Sequence, residues 1–234
     1  MNRKKLATAL LGTAMMGGLL VQAMPAAAAP VSGGSTNGSV GFTGHTPPTP
    51  NGGDLDLLWY PTAFEFGNSN AHTTAAKTYT ATNGATKYAV VKDERIANGT
   101  TVPTDNGWKL TAAAKELKAG TDVLTNAEYS FTGNALKEYK SASGQNTEVP
   151  ESTGAIAAFG TAPTLVTVAG ATSVTLKATG LSADTVTMMQ SADPGVDGKF
   201  ALEMNAISLK VPANTSKDGK QYAGKIDWVL EDSI

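Results

Sequence analysis

The sequence predicts an all-β protein: a single sandwich or barrel-like domain of short antiparallel strands that follows a signal peptide and a flexible spacer. Several short runs rich in Val and Thr alternate between apolar and polar residues, which is typical of half-buried strands. Turn sequences such as Asn83-Gly84 and Lys217-Asp218-Gly219 separate these runs. Short strands at this spacing indicate a sandwich or barrel.

Residues 1–29 have the pattern of a secretory signal peptide. Arg3, Lys4 and Lys5 form a charged start, an apolar run follows, and four alanines at 26–29 provide a cleavage site. A transmembrane anchor is the alternative, but glycines at 12, 17 and 18 weaken the apolar run and the cleavage site adjoins it. We therefore expect a secreted chain, cleaved after Ala29, with no membrane span in its mature form.

The charge of the mature chain limits its partners. Cleavage removes three cations and no anion, so the formal net charge changes from −2 to −5. A mildly acidic protein is poorly suited to bind nucleic acid or wall teichoic acid, because both are polyanions. Neutral or zwitterionic glycans, stem peptides and other proteins stay open as partners.

Composition also limits the chemistry and the mode of attachment. The chain has no cysteine, so disulfides and thiolate chemistry are excluded. The part from residue 54 onward has about 180 residues, enough to bury roughly 70% of its unfolded surface. No second apolar run follows, and the chain ends in Glu231-Asp232-Ser233-Ile234 rather than in an L-P-x-T-G sorting signal. We expect the folded domain itself to hold the protein at a surface.

Residues 30–53 are rich in Pro, Gly, Ser and Thr and almost uncharged. Such a segment buries too little apolar surface to offset the entropy of ordering, which predicts a flexible or extended spacer. Its stretch 39–43 could add a strand in a complex. The domain boundaries that follow are 1–29 for the signal peptide, 30–53 for the spacer and 54–234 for the folded domain.

Alternation along the domain predicts individual strands. Residues 172–178 and 184–188 alternate cleanly, and the even-numbered apolar residues of 200–206 share one face. Ile207, Leu209 and Val211 then share a face of the opposite parity. This change of parity predicts a bulge or bend near Ala206.

The last predicted strand contains a W-x-L triplet. Side chains alternate along a strand, so Trp228 and Leu230 point to the same side. The same triplet occurs at Trp108-Lys109-Leu110. Two of the three tryptophans in the chain therefore lie in W-x-L triplets.

The ordered set of motifs resembles the WxL-domain surface proteins of low-GC Gram-positive bacteria. A Trp59-Tyr60 pair and a Phe-Gly ending at 66–67 open the domain, and Arg95 precedes the first W-x-L. Leu-x-Val-Pro at 209–212, a Gly-bearing turn, Tyr222 and the second W-x-L follow in the family's order. The resemblance covers essentially the whole mature chain.

This resemblance implies a secreted protein that is attached non-covalently to the cell wall by binding peptidoglycan, and that assembles with other cell-surface proteins. Two alternatives stay open. The chain could be mainly an interaction subunit of a multi-protein surface assembly, pairing through an exposed sheet edge. It could also be an adhesin for host matrix or polysaccharide.

The candidate site residues carry two interpretations. Trp108 and Trp228 could stack on sugar rings, but tryptophan and leucine on one strand face are more typical of core. Trp59, Tyr60 and Arg95 are possible ligand contacts, with Arg95 suited to a carboxylate; core packing and a local ion pair are the respective alternatives. The motif residues that could form core or contact ligand are Trp108, Leu110, Trp228 and Leu230.

The sequence favours no catalytic, cofactor or metal site. Only two histidines occur, His45 and His72, and neither lies in an H-E-x-x-H motif. No G-x-S-x-G motif is present. Asp227 and Glu231 could imitate a glycosidase pair, and the acidic turn at 193–198 could hold calcium. A solvated strand face and a simple turn are the favoured interpretations, so we expect a protein that is not an enzyme.

Overall fold

The computed structural model describes residues 30–38, 53–84, 86–96, 99, 107–140, 148–151, 154–161, 163, 166–168, 173–192 and 196–232. The expected signal peptide lies outside the described residues, as does the stretch 39–43. The strands, in chain order, are β1 (Pro30–Gly38), β2 (Leu55–Trp59), β3 (Lys77–Thr80), β4 (Thr86–Asp93), β5 (Trp108–Ala114), β6 (Lys118–Ala119), β7 (Asp122–Val123), β8 (Glu128–Tyr139), β9 (Ile156–Ala157), β10 (Val166–Val168), β11 (Ser173–Lys177), β12 (Val186–Ser191), β13 (Gly198–Val211) and β14 (Gly224–Asp232). A short 3-10 helix spans Ser182–Asp184.

Two antiparallel sheets pack as a sandwich, which confirms the predicted all-β class. The five-stranded sheet has the order β1-β14-β5-β12-β10. The seven-stranded sheet runs β11-β8-β13-β4-β2, with β3 also paired to β13 and β9 to β8. A small separate hairpin joins β6 and β7. The strands of both sheets alternate in burial where one face is in the core, as in the pattern of Ser173–Lys177.

The main core fills the space between the two sheets. Its aromatic part includes Phe64, which lies 5.5 Å from Phe131 and 6.5 Å from Tyr129 between ring centroids. Aliphatic side chains from β5, β12, β13 and β14 surround these rings. Burial of this surface, at about 25 cal/mol per Å² of apolar area, is the main stabilising contribution in a chain without disulfides.

A second, smaller apolar cluster covers part of the outer face of the seven-stranded sheet. It contains Leu58 and Trp59 of β2, Val90 of β4, Tyr139 of β8 and Ala155. Consecutive residues of β2 are all buried, because one face of this strand packs into the main core and the other into the second cluster. The apolar run Leu57-Leu58-Trp59 is uninterrupted because Leu57 lies in the main core and Leu58 and Trp59 lie in the second cluster.

The bulge that the sequence predicts near Ala206 is confirmed. Ala206 has a φ of +43°, and the pairing of β13 with β8 shifts register between Asn205 and Ser208. A left-handed residue inserts one extra position and returns the following apolar side chains to the core face. Ile207 is accordingly fully buried.

The structure has a strand, β1, where the sequence predicts a flexible or extended spacer. Its residues fall in the segment expected as a spacer, but they pair antiparallel with β14 from Pro30 opposite Glu231 to Gly38 opposite Gly224. Main-chain hydrogen bonding to an existing edge needs little from the side chains, so a segment rich in Gly and Ser can form this strand. No helix of the described residues is long and apolar enough to cross a membrane.

Candidate functional site

The two W-x-L triplets lie side by side in the five-stranded sheet. Strands β5 and β14 pair so that Leu110 is opposite Leu230, while Trp228 is opposite the small Ala112. Both tryptophan side chains have 0% exposed area, and the ring of Trp108 lies 5.9 Å from that of Phe200 across the core. The triplets therefore form one continuous patch of the sheet's inner face.

Arg95 is buried in an ion-pair network at the end of β4. Its Nε and Nη2 donate hydrogen bonds of 2.9 Å to the two carboxylate oxygens of Asp93, and its Nη1 donates one of 2.6 Å to Oδ1 of Asp232. Burial alone would lower the pKa of Arg95, but the hydrogen bonds and charges of Asp93 and Asp232 raise it above its usual value. The guanidinium is permanently charged and ties the seven-stranded sheet to the last strand of the other.

A cleft of about 440 Å³ lies where β13 ends and β14 begins. We call it the end cleft. Its floor is apolar and comes from Phe64, Phe66, Tyr79, Leu117, Leu124, Leu209, Val211 and Tyr222. Its polar rim comes from the segments 67–72 and 216–221. A concave apolar floor with a few convergent polar groups is the usual form of a small-ligand site.

Hydrogen bonds fix both sides of the rim. The Nδ2 of Asn70 donates to the main-chain oxygen of Phe66 at 2.7 Å, and the main-chain N–H of Lys217 donates to the hydroxyl of Tyr222 at 3.1 Å. His72 Nε2 lies 3.2 Å from the main-chain oxygen of Ser216 and joins the two sides. The end cleft is therefore pre-formed rather than assembled by loose loops.

The rim carries Lys217, Asp218 and Lys220, and Asp122 lies beside it. The Nζ of Lys217 forms an ion pair with Asp122, and the Nζ of Lys220 lies 3.7 Å from the same carboxylate. The hydrogen bond from Lys217 lowers the pKa of Asp122, and that bond in turn raises the pKa of Lys217. Two carboxylates, Asp122 and Asp218, accompany the two ammonium groups, so this side of the cleft carries both signs of charge without a formal excess of either.

A family model described as WxL domain surface cell wall-binding matches residues 28–233, nearly the whole chain. The chain belongs to the WxL family. Comparison with curated proteins and with solved structures finds no match for it. Membership places this WxL protein at the cell wall, outside the cell, in a family of wall-binding domains that are generally non-catalytic.

The remaining candidate residues of the WxL domain lie away from the end cleft. Trp59 is 2% exposed in the second apolar cluster, and Tyr60 packs half-buried against the main core. Asp227 and Glu231 each bind a lysine, Lys115 at 3.2 Å and Lys109 at 2.9 Å. Residues 193–195 of the acidic turn lie outside the described residues. Within the part of the chain that is described, no group of three His, Asp or Glu side chains is placed to hold a metal.

No motif of the sequence predicts the end cleft. Its lining comes from five separated segments, and the floor residues read as ordinary strand core. Two hints were available: the polar run Gly67-Asn68-Ser69-Asn70 directly after Phe66, and the Gly-bearing turn that ends at Tyr222. Only the fold shows that these two polar segments face each other.

Proposed function

We propose that this WxL protein is attached to the cell wall non-covalently by binding peptidoglycan in the end cleft. Family membership establishes binding at the cell wall. The observation that supports the cleft as the binding site is its apolar, partly aromatic floor beneath a polar rim that holds lysine and aspartate side chains. The rings of Tyr79 and Tyr222 are both half-buried. Half-buried rings keep one part available for contact with a ligand.

The chemistry of peptidoglycan matches this lining. The C–H faces of amino sugars pack on tyrosine rings, and their hydroxyl and acetamido groups need hydrogen-bond partners such as the side chains of Asn68 and Asn70. Stem peptides carry carboxylates, which suit the ammonium groups of Lys217 and Lys220. Because Asp122 and Asp218 balance the charges of the two lysines, the rim suits a ligand with few charges better than a polyanion such as teichoic acid.

The buried tryptophans have a structural role in this proposal. Trp108 and Trp228 have no exposed side-chain area, so sugar stacking on them would require the sandwich to open. Their buried faces pack in the core of the sheet that contains β14. We therefore assign ligand contact to the cleft residues and core packing to the W-x-L triplets.

Co-sedimentation with peptidoglycan freed of protein and teichoic acid tests the proposal. The mature chain, residues 30–234, should pellet with this material. Tyr222→Ala should lose much of the binding, whereas Tyr88→Ala, a matched change of another half-buried tyrosine outside the end cleft, should keep it. Thermal melts establish that each variant is folded.

Other outcomes separate the alternatives. If the folded wild type stays in the supernatant with stripped peptidoglycan but pellets with untreated wall, a partner protein mediates the attachment. If it binds soluble host glycoprotein or polysaccharide instead, the adhesin interpretation replaces ours. If wild type and both tyrosine variants bind equally, peptidoglycan is recognised at another surface and the end cleft is excluded.

A further inference from the structure

Strand β1 has a composition that is unfavourable for a strand. Its nine residues, PVSGGSTNG, contain three glycines, one proline and a single valine as the only large apolar side chain. Glycine and proline are among the poorest strand formers. The pairing with β14 is a main-chain ladder over eight partner positions. Between the sheets, the main-chain N–H of Leu57 donates to Ser32 Oγ at 2.8 Å.

The strand that β1 covers is a central part of the core. Strand β14 carries Ile226, Trp228 and Leu230, all fully buried, and its other edge is occupied by β5. With β1 removed, the nine residues of β14 would have an open edge at which about every second residue presents an unpaired N–H and C=O group. Such an edge is a template for pairing with another extended chain.

The position of β1 in the chain permits it to leave and rejoin. It begins at Pro30, the first residue after the expected cleavage site, so no chain has to be threaded through the ladder when the strand moves. Fifteen residues, 39–53, separate it from the turn before β2, and such a length can span at most roughly 50 Å. A domain of about 180 residues has a diameter near 40 Å. The tether is long enough to reach the β14 edge of a neighbouring molecule.

We propose that the β14 edge is a strand-acceptor site, and that residues 30–38 of a second copy of this chain occupy it by strand exchange. The second copy is the favoured occupant because it supplies the same nine residues in the same register, including Ser32 for the N–H of Leu57. Within one molecule, tethering gives β1 an effective concentration of the order of millimolar. Exchange between copies is therefore expected when the protein is crowded, as on a surface, and it is independent of which wall component is bound.

The absence of cysteine from the chain allows a direct test. Asn37 and Lys225 are directly opposite in the β1–β14 ladder, and opposed residues of an antiparallel pair are close enough for a disulfide. Full mature chains with Asn37→Cys and, separately, with Lys225→Cys are tagged differently, mixed at high concentration and oxidised. A control mixture replaces Lys225→Cys with Ser173→Cys, an exposed position on β11.

If strands exchange, a disulfide-linked heterodimer should form in the first mixture and should not form in the control mixture. A chain that carries both Asn37→Cys and Lys225→Cys, oxidised when dilute, should lock β1 onto its own β14 and stay monomeric when concentrated. Thermal melts show that each variant is folded. If the in-register mixture cross-links no more than the control, or if the locked chain still associates like the wild type, exchange between copies is wrong.

Discussion

Arg95 and Asp232 are 137 residues apart in the chain, yet Nη1 of the first donates a 2.6 Å hydrogen bond to Oδ1 of the second. The bond joins the residue that follows β4 by two positions to the last residue of β14. Arg95 is 5% exposed, and its other nitrogens are bound to Asp93. Arg95, which precedes the first W-x-L triplet, therefore binds the end of β14, the strand that contains the second triplet.

Replacing Arg95 with methionine should strongly destabilise the domain. Two carboxylates would lose their cation, and breaking a buried ion pair costs about 3–5 kcal/mol; the partial exposure of Asp232 places the expected loss toward the lower end. Urea denaturation measures the change in the free energy of unfolding. Glu231→Gln is the control, because its pair with Lys109 is partly exposed and worth less than about 1 kcal/mol. Equal losses in the two variants would contradict the structural role of Arg95.

The three tryptophans should be shielded from solvent in the native protein. Trp59, Trp108 and Trp228 are 2%, 0% and 0% exposed, so their fluorescence should be blue-shifted and scarcely quenched by acrylamide. Unfolding in urea should restore quenching. Strong quenching of the folded protein would show that a tryptophan is accessible. It would then favour the hypothesis that the W-x-L tryptophans stack on sugar rings.

Gly107→Ala should destabilise the first W-x-L strand. A Cβ at this position would overlap the main-chain oxygen of Ser191 and lie 3.0 Å from Cα of Ala192, so β12 would have to move. Such overpacking costs about 1–3 kcal/mol or more. Gly160→Ala is a suitable control, since its Cβ would meet nothing within 4 Å. A thermal melt compares the two, and an unchanged midpoint for Gly107→Ala would contradict the close contact.

Ala206→Gly should stabilise the protein. Ala206 has a φ of +43°, and a left-handed conformation costs an L-residue about 1–2 kcal/mol relative to its preferred regions. Glycine removes that strain but adds entropy to the unfolded chain, so the expected net gain is below about 1 kcal/mol. Ala113→Gly, on β5 without a positive φ, should lower stability instead. Chemical denaturation of the two variants checks the opposite signs.

Tyr88 should make stability fall at high pH. Burial, followed by the negative charge of Glu203 and the hydrogen bond donated to it, raises the pKa of Tyr88 from 10.0 to about 12. The folded state therefore binds the proton more tightly than the unfolded state. The resulting stabilisation is complete below pH 10 and is lost as pH rises toward 12. In Tyr88→Phe this part of the decline should be absent, and an identical pH profile would contradict the assignment.

Local pattern was sufficient for much of the fold. Period-two alternation identified the strands that carry the W-x-L triplets, and a change of parity located the bulge at Ala206, because both depend only on which side chains enter the core. Strand β1 was not predictable, since its pairing depends on the main chain of β14 rather than on its own side chains. Arg95 was recognisable as a motif residue in the sequence, but its bond to Asp232 is visible only in the folded structure. The end cleft likewise depends on long-range packing of separate segments.

The most direct measurement places a probe on the rim of the end cleft. Because the chain has no cysteine, Asn68→Cys can be labelled with an environment-sensitive dye, with Ser173→Cys on β11 labelled as the control; both positions are exposed. On titration with soluble muropeptides, we expect a saturable change in dye fluorescence at position 68 and none at position 173. A protein that co-sediments with peptidoglycan, but shows no response at position 68, would contradict recognition in the end cleft.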